Sequence, residues 1–116
     1  MAARPTISTH VLDTATGQPA AGVVVHLLRV TDSGVDLVAA GITNADGRIS
    51  DMLPNGLAVG LYRIEFEIGQ YRRHATGADD AFFERISLDL NIVDTTRSYH
   101  VPLLLAPYGC TAYRGS

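Results

Sequence analysis

The sequence predicts an all-β sandwich with one short helix, and three observations carry that expectation. Apolar residues alternate with period two along most of the chain, turns rich in glycine and proline recur at short intervals, and sustained 3.6-residue periodicity is missing. Many short strands punctuated in this way close into a sandwich or barrel, read here as antiparallel. At 116 residues the chain has the size of a single domain, taken as 1–116.

The elements follow in order. Thr6–Leu12 is the first strand, ended by the Asp13–Pro19 turn (DTATGQP). Gly22–Val30 is β-branched and nearly continuous in apolar residues, the pattern of a strand covered on both faces. Asp32–Gly34 turns the chain into Val35–Thr43, and the Asn44–Gly47 turn (NADG) leads into Arg48–Leu53. After Pro54–Gly56, the run Leu61–Ile68 alternates most cleanly: Tyr62, Ile64, Phe66 and Ile68 point one way, Arg63, Glu65 and Glu67 the other. The stretch between Gln70 and Thr76 is the one plausible helix. Ser87–Ile92 turns Leu88, Leu90 and Ile92 inward, and Ser98–Ala106 and Thr111–Arg114 complete the set. Pro102 falls inside a strand, where it removes a ladder donor and predicts a local irregularity.

Composition narrows the function. An apolar fraction of 47% with 18% charged residues describes a globular core and excludes wholesale disorder. Nine basic against twelve acidic residues give a net charge of −3, which argues against a nucleic-acid partner bound through its phosphates. All the basic residues are Arg, so Schiff-base lysine chemistry and a P-loop are excluded. The single Cys110 rules out an intramolecular disulfide and a cysteine-rich zinc site, and suits a reducing compartment. The amino terminus lacks the apolar stretch of a signal peptide and no run is long enough to span a membrane, so the expected location is cytoplasmic.

Three features could carry chemistry. Of four histidines, His10 and His100 sit mid-strand, where an imidazole can exchange protons near neutral pH. His26 reads as an ordinary strand residue and His74 as an exposed residue at a helix end. Arg48 follows a turn and offers a planar fork of donors to a carbonyl or an anion. The carboxyl end, Tyr113–Ser116 (YRGS), sets an aromatic, an Arg, a Gly and a hydroxyl in the last four positions. Singly, each is an unremarkable strand or terminal residue.

Together they form a pattern. Ser8–Thr14 (STHVLDT), Gly17–Gly22 (GQPAAG), Thr43–Arg48 (TNADGR), Tyr99–Leu105 (YHVPLLL), Pro107–Gly109 (PYG) and the terminal YRGS resemble the transthyretin-related 5-hydroxyisourate hydrolases. The likeness runs from about Thr6 to the last residue, and its most specific element is the terminal YRGS. The chain departs from that pattern at Cys110 and Ala112, and at Glu84, where a Pro is usual.

The resemblance implies a transthyretin-like (prealbumin) Greek-key sandwich of two four-stranded sheets. It further implies a homotetramer whose sites lie between dimers, lined by the sheet that holds the first strand, Arg48, His100 and the terminal strand. His26 is thereby placed on the other sheet, outside the site. The implied reaction is hydrolysis of 5-hydroxyisourate in urate catabolism, by metal-free attack of water that opens the N1–C6 bond, with no cofactor. The implied catalytic set is His10, Arg48, His100 and Ser116. Substrate contacts fall to His10, Arg48, Tyr113, Arg114 and Gly115, the last two also fixing the terminal strand. Either His10 or His100 is the base at this stage, and Ser116 is either a water-orienting hydroxyl or a nucleophile, with water attack ranked first.

Other readings compete. The run Thr16–Val25, the Asp46–Gly47 turn and the strand entry at Gly60–Arg63 also resemble prealbumin-like domains of surface proteins, which bind ligands or act as spacers. A transthyretin-type carrier of small aromatic hormones is a further alternative. A zinc site on His10 and His100 is weaker, because a catalytic zinc takes three protein ligands.

Overall fold

Period-two alternation builds the molecule as expected, and the computed structural model describes residues 4–115. Among these residues nine strands and one helix are formed: β1 (Ile7–Asp13), β2 (Gln18–Pro19), β3 (Val24–Thr31), β4 (Gly34–Ile42), β5 (Arg48–Ile49), β6 (Gly60–Phe66), α1 (Ile68–Thr76), β7 (Ile86–Ile92), β8 (Tyr99–Ala106) and β9 (Gly109–Ala112). One sheet has the order β2-β1-β8-β9, with β5 also paired to β1, and the other has β4-β3-β6-β7. Beyond the expected four strands, the first sheet thus gains the two-residue ribbon β2.

Inward residues of both sheets make one core. Ile7 and Val11 of β1, Val25 and Leu27 of β3, Ile64 and Phe66 of β6 and Leu103 of β8 are fully buried. Each such side chain contributes roughly 1.5–3 kcal/mol relative to exposure. That burial fixes which residues of β1 and β8 must face outward, and so where a site can be built.

Several expectations are corrected. The sheets are not wholly antiparallel: β1 and β8 run parallel, Ser8 opposite His100 and His10 opposite Pro102. A hairpin would force opposite directions, but these strands are joined through the entire second sheet, which leaves parallel pairing open. The run Gly22–Val30 is not covered on both faces; in β3 only Val25 and Leu27 are fully buried, and its other residues are half-buried or exposed. The strand expected over Arg48–Leu53 stops at Ile49. There the Asp51 carboxylate accepts from the Thr6 hydroxyl (2.5 Å) and the Leu53 N–H (3.0 Å), turning the chain away.

The helix starts at Ile68, two residues earlier than expected, because the β6–β7 ladder ends at Phe66 opposite Ile86. Ile68 stays buried as the alternation requires, but in a helical turn. Gly77 ends α1 in the left-handed conformation, its N–H bonded to the Arg73 carbonyl at 2.8 Å. Glu84, where the family pattern has Pro, holds the Arg73 guanidinium through both oxygens at 2.8 and 2.9 Å and accepts the Gly69 N–H at its carbonyl. Cys110 and Ala112 turn inward and pack against the core.

Pro102 produces the irregularity its chemistry demands. The β8–β9 pairing is regular from Leu103–Ala112 to Ala106–Gly109, lapses at Pro102, and resumes as a single bridge between His100 and Gly115. Across the lapse the Tyr113 N–H reaches the Pro102 carbonyl at 3.4 Å, and Pro102 has no N–H to return.

Candidate active site

The site is assembled on the outward face of the first sheet. Along β1, Ile7, Thr9 and Val11 are buried, so Ser8 and His10 face out. On one side of β1, Arg48 stands directly opposite His10; on the other, His100 stands opposite Ser8. Directly opposed residues bring their β-carbons to about 5 Å. Four polar residues from three distant parts of the chain therefore meet around one short segment of β1.

Local chemistry delivers each of them. The Asn44 side-chain oxygen accepts the N–H groups of Asp46 (2.9 Å) and Arg48 (3.0 Å), shaping the turn before β5. Gly47 occupies φ +75°, and a β-carbon there would lie 2.4 Å from the Val11 carbonyl oxygen. Its own carbonyl accepts the Val11 N–H at 2.8 Å, which docks the turn on β1 and leaves Arg48 exposed beside His10.

His100 is the most constrained member. Its Nδ1 lies 2.9 Å from the Ser8 hydroxyl. Burial, then the positive charge of Arg48 and the neighbouring His10, hold its pKa below the ordinary imidazole value, while the Ser8 main chain works weakly the other way. His100 is therefore neutral at physiological pH, the form a general base requires. An open depression of about 290 Å³ on this face is lined by Ser8, Arg48, Ser50, Ser98 and His100 among others. A second groove of about 340 Å³, between β7 and the chain end, touches His100, Tyr113 and Arg114 but neither Arg48 nor Ser8. The first is the better reaction site because Arg48, which stands opposite His10, and the Ser8–His100 pair border it together.

The carboxyl end joins the same face in part. Tyr113 is opposite Pro102 and Gly115 is opposite His100, so both belong to the outward side, and Tyr113 is 55% exposed. Arg114 alternates away, its guanidinium 4.9 Å from the Tyr99 ring centroid. Ser116 lies outside the described residues. His74 is exposed near the end of α1. His26 sits on β3 of the other sheet, opposite Glu65. Among the described residues, His26, Glu65 and Glu67 are the one trio whose potential ligand atoms lie within 4.8 Å of one another, and Arg85 already holds Glu67 at 2.6 Å. Sequence reasoning missed Ser8. Its signal was available, since a strand residue two positions before His10 shares its face.

Comparison with known proteins agrees with this architecture. The model of the HIUase/Transthyretin family matches residues 7–115. The 5-hydroxyisourate hydrolase 2 of Rhizobium meliloti (strain 1021) is 44% identical over 114 residues, covering 95% of each chain. The solved structure of Klebsiella pneumoniae 5-hydroxyisourate hydrolase superposes with a TM-score of 0.84 at 38% identity, covering 97% of this chain and 99% of that one. Sea bream transthyretin, solved in complex with thyroxine, superposes at 0.85 with 27% identity over 94% of this chain and 93% of its own. With its two-sheet fold, its outward His10, Arg48 and His100, and a family match over nearly its whole length, this chain belongs to the HIUase/Transthyretin family.

Proposed function

We propose that the chain is a 5-hydroxyisourate hydrolase of urate catabolism, a single hydrolase domain over 1–116 that yields 2-oxo-4-hydroxy-4-carboxy-5-ureidoimidazoline. The observation that carries this reading is the meeting of His10, Arg48 and His100 on one open sheet face, in a chain 44% identical to a relative of that name.

The geometry supports a hydrolysis by water. His100, kept neutral, takes a proton from the water as its oxygen bonds to C6 of the substrate. Arg48 offsets the negative charge that gathers on the tetrahedral oxygen. The N1–C6 bond then breaks, and the proton held on imidazole passes to the departing nitrogen, with His10 beside Arg48 binding the ring and completing the relay. Tyr113 packs against the planar ring, Arg114 and Gly115 fix the terminal strand at the site, and the Ser116 hydroxyl orients the water. No metal or cofactor enters this scheme.

An open face cannot exclude water alone, and a second copy of the same face would close it. That requirement, with the exposed Tyr113, supports a homotetramer with sites between dimers. The lone Cys110 supports a cytoplasmic location, and no helix among the described residues is long and apolar enough to cross a membrane. The likeness to sea bream transthyretin favours a second reading, a non-catalytic small-ligand carrier; such a carrier has no use for a neutral His beside an Arg.

The deciding assay supplies fresh 5-hydroxyisourate through urate oxidase and follows its ultraviolet decay. Acceleration by the protein that is lost in His100→Asn is the expected result. Binding of the substrate or of an aromatic hormone without turnover overturns the hydrolase reading in favour of the carrier.

A further inference from the structure

We propose that Ser8 is a positioning residue for His100: its hydroxyl accepts the Nδ1 proton, which leaves Nε2 unprotonated and directed at the open face. The proposal rests on the reading of His100 as the base.

Two contacts on opposite edges fix the ring. On the Nδ1 edge the Ser8 oxygen lies at 2.9 Å. On the Cδ2 edge the chain of Gly115 packs so closely that a β-carbon there would lie 2.7 Å from Cδ2. Turning the ring over would set a carbon against the Ser8 hydroxyl and a nitrogen against the Gly115 α-carbon, losing the hydrogen bond and gaining none. The orientation is therefore decided by β1 on one side and the chain end on the other.

The orientation, together with the role of base, selects the tautomer. The Ser8 hydroxyl, 2.9 Å away, can accept a proton from Nδ1 or donate its own to a bare Nδ1, so the contact by itself fits either tautomer. A bare Nδ1 would take the Ser8 proton and put the ring proton on Nε2, leaving no lone pair there for water. A base at the open face therefore requires Nδ1–H donating to Ser8. Nε2 has no hydrogen-bond partner among the described residues and lies at the far end of the ring from the backbone. A neutral imidazole protonated on Nδ1 keeps its basic lone pair on Nε2, where water and substrate can reach it. Ser8 thus acts through His100 without contacting the reacting atoms.

The test reads the tautomer directly. Nitrogen-15 NMR of the wild-type protein at pH 8 is expected to show the His100 proton on Nδ1, and Ser8→Ala to return the ring toward a mixture. In turnover, Ser8→Ala lowers kcat on the order of 10-fold with KM little changed, short of the roughly 10⁴-fold effect of a buried carboxylate orienter. Ser8→Thr keeps the hydroxyl and restores most of kcat. A wild-type proton on Nε2 overturns the proposal. So does a fully active Ser8→Ala beside an inactive His100→Asn, which leaves the base assignment standing. A fully active His100→Asn instead removes the base assignment and the proposal with it, whatever the NMR shows.

Discussion

Gly115 packs against the His100 ring so tightly that a β-carbon at Gly115 would lie 2.7 Å from Cδ2 and 3.2 Å from both Cβ and Cγ. The relation turns a weak terminal motif into a physical requirement, because the ring position demands the missing side chain. Gly115→Ala pushes the imidazole out of line, and a misplacement near 1 Å costs about 10²-fold in turnover. The expected result is that loss in kcat with a melting temperature close to wild type. Unchanged kcat removes Gly115 from the site.

Arg48 acts on both the substrate and the base. Arg48→Gln lowers kcat on the order of 10²–10³-fold by removing the charge opposite the developing oxyanion. It also removes one of the causes that depress His100, so the His100 pKa moves up toward the ordinary value of about 6.5. Nitrogen-detected titration of wild type and variant measures the second effect independently of the first. A His100 pKa that stays put or falls shows that Arg48 does not govern the base.

The depressed pKa of His100 sets the direction of two pH profiles. The base stays competent below pH 6.5, so the acid limb of kcat/KM falls on the acid side of an ordinary imidazole. Stability follows the same group. Above about pH 6.5 His100 is neutral in folded and unfolded chains; as pH falls, the unfolded chain takes the proton first, and stability declines until the folded pKa is passed. Exposed Asp89 and Glu84, held low by Arg63 and Arg73, lose their contribution only at more acid pH, through their own depressed values. Urea unfolding between pH 7 and 5 checks this, and His100→Asn flattens that window.

The Gly47 turn supplies a stability test. At φ +75°, with the Val11 carbonyl 2.4 Å from a would-be β-carbon, Gly47→Ala combines backbone strain with a clash against rigid main chain. A loss of about 3 kcal/mol is expected, read as a lower urea midpoint with an unchanged slope at fixed protein concentration. Activity in the folded fraction falls as well, because this turn carries Arg48. A neutral substitution here contradicts the docking of the turn on β1.

Local pattern determined much of the molecule. The alternation of Tyr62, Ile64 and Phe66 against Arg63 and Glu65 fixed a strand with one buried face, and the NADG turn fixed where Arg48 enters. Its limits are as physical as its successes: period two ran through Ile68 and could not say where the ladder ends, since that depends on the partner strand β7. Singly, His10, Arg48 and His100 carried only a weak signal, and the resemblance joined them.

Neighbourhood was decided by the tertiary structure alone. Ser8 and His100 are 92 residues apart, on strands that run parallel, and nothing within either segment encodes that pairing. Side-chain alternation is a property of each strand by itself, whereas the choice of partner depends on closing long loops around a shared core. Strand register then made Ser8 a neighbour of His100 and Gly115 its other wall, so the base is held by contacts no single stretch of sequence contains.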